Sequence, residues 1–117
     1  MNPNMRVCLL KKKIYLNRKA IAKLGNPKFL NFCYDEEGMV LYCAPTKQDD
    51  LDAYEIPKFY WDLPQKPCEI SRSALLKALQ HRLNWASGSK YYFEGDVFSL
   101  NNKPILAYNL RNGVKVR

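Results

Sequence analysis

Eight basic residues fall within the first 34 positions, Arg6, Lys11, Lys12, Lys13, Arg18, Lys19, Lys23 and Lys28, and no aspartate or glutamate accompanies them. Residues in that arrangement suit the neutralisation of a polyanion. A lysine or arginine laid against a phosphate releases condensed counterions, which gives affinity without sequence information, and arginine can in addition pair with guanine edges. Residues 35–62 reverse the sign, with eight acids against Lys47 and Lys58, and residues 63–117 return to nine bases and three acids. The net charge of +8 favours an acidic partner, whether nucleic acid, an anionic membrane or an acidic protein. A solvated charged face with no partner has the same composition.

Other chemistries find less support. His81 is the single histidine, set beside Lys77 and Arg82, where a surface or packing role outweighs that of a general base. No Gly-rich phosphate loop or metal motif occurs. Asp49, Asp50 and Asp52 lack the liganding pattern of a calcium loop and read as an exposed acidic turn. Cys8, Cys33, Cys43 and Cys68 form no CxxC pair and have no histidine at zinc-ligand spacing, so they read as buried thiols. The expectation is a protein that is not an enzyme and needs no metal or cofactor.

The elements that would position these bases emerge from caps and periodicity. At 117 residues and 47% hydrophobic, the chain is expected to form a single domain over 1–117. No apolar run approaches the roughly 20 residues that cross a bilayer, and Met1 to Leu10 is too weakly apolar for a secretory signal, so the expected compartment is the cytoplasm. Lys13 to Leu16 reads as a strand. Asn17 is a good N-cap, Ala20, Ile21 and Leu24 share a helical face, and Gly25 supplies a left-handed stop. Phe29 to Tyr34 and Met39 to Ala44 are β-prone runs around Asp35 to Gly38, a hairpin in which Tyr34 would face Met39 and Cys43 would face Leu30.

The same order returns 54 positions later. Glu69 and Ile70 precede Ser71 as N-cap, and the helix Arg72 to Leu83 turns Leu75, Leu76, Leu79 and Leu83 inward. Lys90 to Phe93 and a turn at Gly95 are followed by Val97 to Leu100 and Ile105 to Leu110 around Asn101 to Pro104, a second β-hairpin. Leu16-Asn17-Arg18-Lys19-Ala20-Ile21-Ala22-Lys23 aligns with Ile70-Ser71-Arg72-Ser73-Ala74-Leu75-Leu76-Lys77, keeping a cap, an arginine, an alanine and a lysine in register. The pseudo-repeats are 13–45 and 68–110. The first hairpin is apolar on both faces and so must be covered on both, by the second unit, by another subunit or by interlocked hairpins. The expected fold class is therefore α+β, two strand-helix-hairpin units forming a β-barrel-like core with two short helices.

The connection 46–67 is acidic, then aromatic and proline-rich. Tyr54, Phe59, Tyr60 and Trp61 there would pack in the core or dock a protein partner. Stacking on nucleobases is the weaker option, because Asp49, Asp50, Asp52, Glu55 and Asp62 repel phosphate.

Ile14-Tyr15-Leu16, Ala20-Ile21, Leu24-Gly25 and a hairpin ending Val40-Leu41-Tyr42-Cys43-Ala44-Pro45 together resemble the AbrB, SpoVT and MazE class of swapped-hairpin proteins. Ile70, Ala74-Leu75 and the loop Trp85 to Tyr91 with Gly88 look similar in the second unit, a tandem arrangement of the MraZ type in which two units make a pseudo-dimer. Asn17 and Ser71 stand where many members of that class carry proline, Asn26-Pro27 replaces the usual Gly-Asp, and the second helix is longer. What the resemblance implies is DNA binding and transcription regulation. By position, the residues are Lys11, Lys12, Lys13, Arg18, Lys19 and Lys23 in unit one and Arg72 and Lys77 in unit two, with Arg18 and Arg72 reading sequence and a homodimer as one further assembly. The alternative is an antitoxin-like or accessory interaction module that docks through the aromatic connection.

Overall fold

The computed structural model describes residues 2–116, so only the two ends of the unit expected over 1–117 lie outside it. The elements run β1 (Asn4–Cys8), β2 (Lys13–Leu16), α1 (Arg18–Lys23), β3 (Phe29–Asp35), β4 (Val40–Pro45), β5 (Tyr54–Glu55), α2 (Lys58–Asp62), β6 (Cys68–Ile70), α3 (Ser73–Leu83), β7 (Lys90–Leu100), β8 (Lys103–Asn109) and β9 (Val114–Val116), with a 3-10 turn at Leu110–Asn112. The class is α+β, with α2 as a third helix beyond the two expected.

All strands pair antiparallel, in the order β5-β3-β4-β8-β7-β1-β2-β6, with β9 on β7. The outer strands β5 and β6 are linked by a side chain. The Tyr54 hydroxyl donates to the Glu69 carbonyl at 2.9 Å and accepts from the Ser71 amide at 3.4 Å. The sheet thus curls into a nearly closed, barrel-like form. Apart from the hairpins, the pairings along this path join the chain before residue 46 to the chain after it: β1 with β7, β2 with β6, β3 with β5 and β4 with β8.

Period-2 alternation fills the interior. Met5 and Val7, Ile14 and Leu16, Leu41 and Cys43, Cys68 and Ile70, and Leu106 and Tyr108 are all buried, as are Leu30 and Phe93. Each fully buried aliphatic side chain among them contributes roughly 1.5–3 kcal/mol. Ala20, Ile21 and Leu24 from α1 and Leu76 and Leu79 from α3 join the same core, while Leu75 and Leu83 are half-buried. β1 lies at the centre of the sheet although its short Met5 and Val7 alternation is a weak strand signal; pairing on both sides defines it.

Local chemistry sets the junctions. Asn17 caps α1, its Oδ1 accepting from the Ala20 amide at 2.8 Å, and Gly25 at φ 83° ends the turn that follows. At the second junction Ser71 does not cap. Its amide bonds to Tyr54, and Arg72 occupies the N-cap position of α3 with no side-chain cap bond, so the helix starts at Ser73. One residue is therefore added in unit two, and the aligned arginines stand at different places: Arg18 opens α1, whereas Arg72 precedes α3.

The first hairpin is shifted by two from the expected register: Tyr34 pairs with Leu41, Phe32 with Cys43 and Leu30 with Pro45. Met39, at φ 53°, takes the left-handed position of the turn, which leaves Asp35 and Val40 as the last ladder pair. Gly95 is not a turn but the middle of β7, where the Tyr108 ring lies so close that a Cβ would approach Cε1 to 2.5 Å. The hairpin turn is Asn101-Asn102, both left-handed at φ 52° and 62°, as a two-residue primed turn requires. The outer face of the first hairpin is also less covered than expected. Asn31, Cys33, Tyr42 and Ala44 join Phe98, Leu100 and Ile105 around an open groove of about 380 Å³, and Cys33 is exposed while the other three thiols are buried.

Candidate nucleic-acid interface

The eight expected contact residues meet different fates. Lys11 and Lys12 stand exposed in the turn between β1 and β2, with Lys12 at a left-handed φ of 55°. Lys13 is tied across to Glu69 at 3.1 Å, and that hydrogen bond and charge push its ammonium pKa up. Lys19 and Lys23 are exposed one turn apart on α1, opposite its buried Ala20 and Ile21. Lys77 is exposed on α3.

The two arginines are less free. The Arg18 guanidinium lies 4.0 Å over the Tyr60 ring and donates to the Tyr60 and Leu63 carbonyls at the end of α2. A cation at the exposed carbonyls of a helix end and over an aromatic face is favourable on both counts. Arg72 makes one long bond, to the Asp52 carbonyl at 3.4 Å.

Lys12 and Lys77 are brought together. Both line a crevice of about 140 Å³ between the β1–β2 turn and α3, with Ser73, Gln80, Ser87 and Gly88 completing its polar wall and Leu9 and Leu76 its apolar floor. Gly88 adopts φ 78° there, and the Leu9 amide donates to the Ser89 carbonyl at 3.1 Å, which holds the turn against the loop. Neither lysine forms a salt bridge among the described residues.

A second group escapes a reading based on charge runs. Arg6 pairs with Tyr15 on one side and Tyr92 on the other, so the three form a row across β2, β1 and β7 on the outer face. The Arg6 guanidinium sits 4.8 Å from the Tyr15 ring centre. Together with Asn4, Asn17 and Pro67 the row lines a crevice of about 350 Å³. The available signal was the position of Arg6 between inward Met5 and Val7, and of Tyr15 between inward Ile14 and Leu16.

In the connection, Tyr60 is buried under Arg18 and Tyr54 is half-buried at the sheet seam, which leaves Phe59 and Trp61, each 39% exposed. The acidic turn has an internal role. Asp50 accepts from the Asp52 amide, the Thr46 hydroxyl and the Asn31 amide, and these bonds lower its carboxyl pKa. Among the described residues no three His, Cys, Asp or Glu side chains group as metal ligands, and no helix is long and apolar enough to cross a membrane. No family profile, curated protein or solved structure matches this chain.

Proposed function

We propose that this protein binds duplex DNA as a regulator of transcription, through the lysines of the β1–β2 turn, α1 and α3. The observation that carries this reading is the convergence of Lys12 and Lys77 on one crevice, with no acid among the described residues in an ion pair to either. A phosphate drawn to a crevice that two lysines line is attracted by both charges and releases counterions. Lys11, in the same turn as Lys12, extends this contact, while Lys19 and Lys23 stand at the other end of β2 as a second basic pair. Arg18 serves the fold rather than base readout, since its donors face α2 carbonyls; Arg72, more loosely held, is the arginine left for a base edge. The pairings of β2 with β6 and of β4 with β8, which join the two units, support a tandem swapped-hairpin arrangement similar to the AbrB and MraZ class.

Fluorescence anisotropy with a random duplex tests the reading. Binding should weaken steeply with salt, and Lys12→Glu with Lys77→Glu should reduce affinity at least about ten-fold and flatten the salt slope by about two. Absence of duplex binding at low salt disposes of it. In that event the exposed Phe59 and Trp61 favour the second reading, an antitoxin-like or accessory module that docks a protein partner. Phe59→Ala with Trp61→Ala would then abolish co-purification of that partner, and retention would remove the second reading too.

A further inference from the structure

We propose that the outer face of β7, β1 and β2 is a stacking platform for unpaired nucleobases, so that the protein also binds single-stranded nucleic acid. Tyr92, Arg6 and Tyr15 are direct cross-strand partners. Adjacent strands lie roughly 4.8 Å apart, which puts the three residues in one row, with the Arg6 guanidinium over the Tyr15 ring. Both tyrosines are partly exposed and Arg6 is fully on the surface, on the side of the sheet opposite Met5, Val7, Ile14, Leu16 and Phe93. A tyrosine ring and an arginine guanidinium both stack on bases of any type, and the guanidinium adds a charge for phosphate.

The surroundings select this occupant over a protein surface or a duplex. Of the acids near the row, Glu69, opposite Tyr15, is neutralised by Lys13 at 3.1 Å, whereas Glu94 and Asp96, exposed along β7 beyond Tyr92, bound the site on that side. Lys90, two residues along β7 from Tyr92 and exposed, has no ion pair among the described residues and extends the positive track. The row itself lines a crevice with Asn4, Asn17 and Pro67, and the Asn17 amide, bonded to the Ala20 and Asn4 amides and the Asn2 carbonyl, fixes the wall of that crevice. Base faces are hidden inside a duplex and open only in a single strand, so partly exposed aromatic side chains on a sheet face discriminate between the two. Arg6, Tyr15 and Tyr92 lie outside the lysine set of the duplex reading, so either site can fail alone.

The experiment compares the full chain with labelled oligo-dT, oligo-U, an abasic strand of equal charge and a blunt duplex by fluorescence anisotropy. The expected result is binding to oligo-dT or oligo-U that Tyr15→Ala with Tyr92→Ala weakens about ten-fold or more, with abasic and duplex binding changed less than about two-fold. Tyr15→Phe with Tyr92→Phe should restore the affinity. If the alanine pair fails to fold, Tyr15→Leu with Tyr92→Leu keeps apolar bulk on the strands while removing the π faces, and the same loss is expected. Single-strand binding that is absent in the parent chain, unchanged in these variants, or lost in parallel with abasic and duplex binding overturns the proposal.

Discussion

At the end of unit one, α1 is covered by the segment Ile56 to Pro67, and Arg18 is drawn under α2 by two carbonyls and the Tyr60 ring. In unit two, α3 faces the short turn Leu9 to Lys12 across a crevice that Lys12 and Lys77 both line. Both ends follow a short strand into a helix, and both carry an arginine and a lysine at matched sequence positions. What differs is the link between the two preceding strands: a helical segment between β5 and β6, a tight turn between β1 and β2. The comparison teaches that the same basic residues become structural where a neighbour supplies acceptors, and stay available to a polyanion where none does.

The largest expected effect breaks the sealed end. Arg18→Ala removes two charge-assisted hydrogen bonds and the stacking on Tyr60, and should destabilise the fold by about 3 kcal/mol. Arg72→Ala, with its one long bond, should cost less than about 1 kcal/mol. Urea midpoints at constant slope measure both, and equal losses would erase the distinction between the ends.

A pH titration probes the interior beside the sealed end. Burial pushes the Cys68 thiol up to about 12, against the opposing pull of the nearby Arg18 charge. Burial and the neighbouring Cys68 likewise raise Cys43, and burial with Cys43 raises Tyr108. In the unfolded chain a thiol gives up its proton near pH 9, whereas the folded protein keeps it. The folded state therefore binds more protons between pH 9 and 12, and stability, full below that window, should fall across it by at most about 1.4 kcal/mol per pH unit for Cys68. Cys68→Val should flatten the fall, and denaturation at pH 8 and pH 10.5 checks it. Stability that does not change over that interval contradicts the burial argument.

A third measurement tests whether the two ends share a loop requirement. Gly25 and Gly88 both adopt left-handed φ with open space around the missing side chain. Alanine at either site should cost about 1–2 kcal/mol from backbone strain alone. A much larger loss at Gly88 would show that the loop beside the Lys12 and Lys77 crevice carries packing that its counterpart lacks.

Much of the architecture is readable from local pattern. Asn17 as cap, Gly25 as stop, the strand Lys13–Leu16 and the order strand, helix, hairpin in each unit follow from chemistry within a few residues, because caps, left-handed glycines and alternation act at short range. The matched helix starts differ by one residue, α1 opening at Arg18 and α3 at Ser73. Ser71 has the chemistry of a cap, but Tyr54, distant in sequence, takes its amide. β1 and α2 were not visible, since β1 is a strand by virtue of two partners and α2 is a single turn held by Arg18.

The candidate sites divide in the same way. That the chain is strongly basic in its first third, and that Lys11, Lys12, Lys19 and Lys23 are unopposed by nearby acids in sequence, is a property of the sequence alone. Which bases remain free was decided by the tertiary structure: Lys13 is paired with Glu69, Arg18 is taken up by α2, and Lys77 is carried to Lys12. The row of Tyr92, Arg6 and Tyr15 arises only when three strands from the two ends of the chain lie in register. Charge is a sum over residues and survives unfolding, whereas a partner is a matter of distance, and distances between residues so far apart exist only once the sheet has closed.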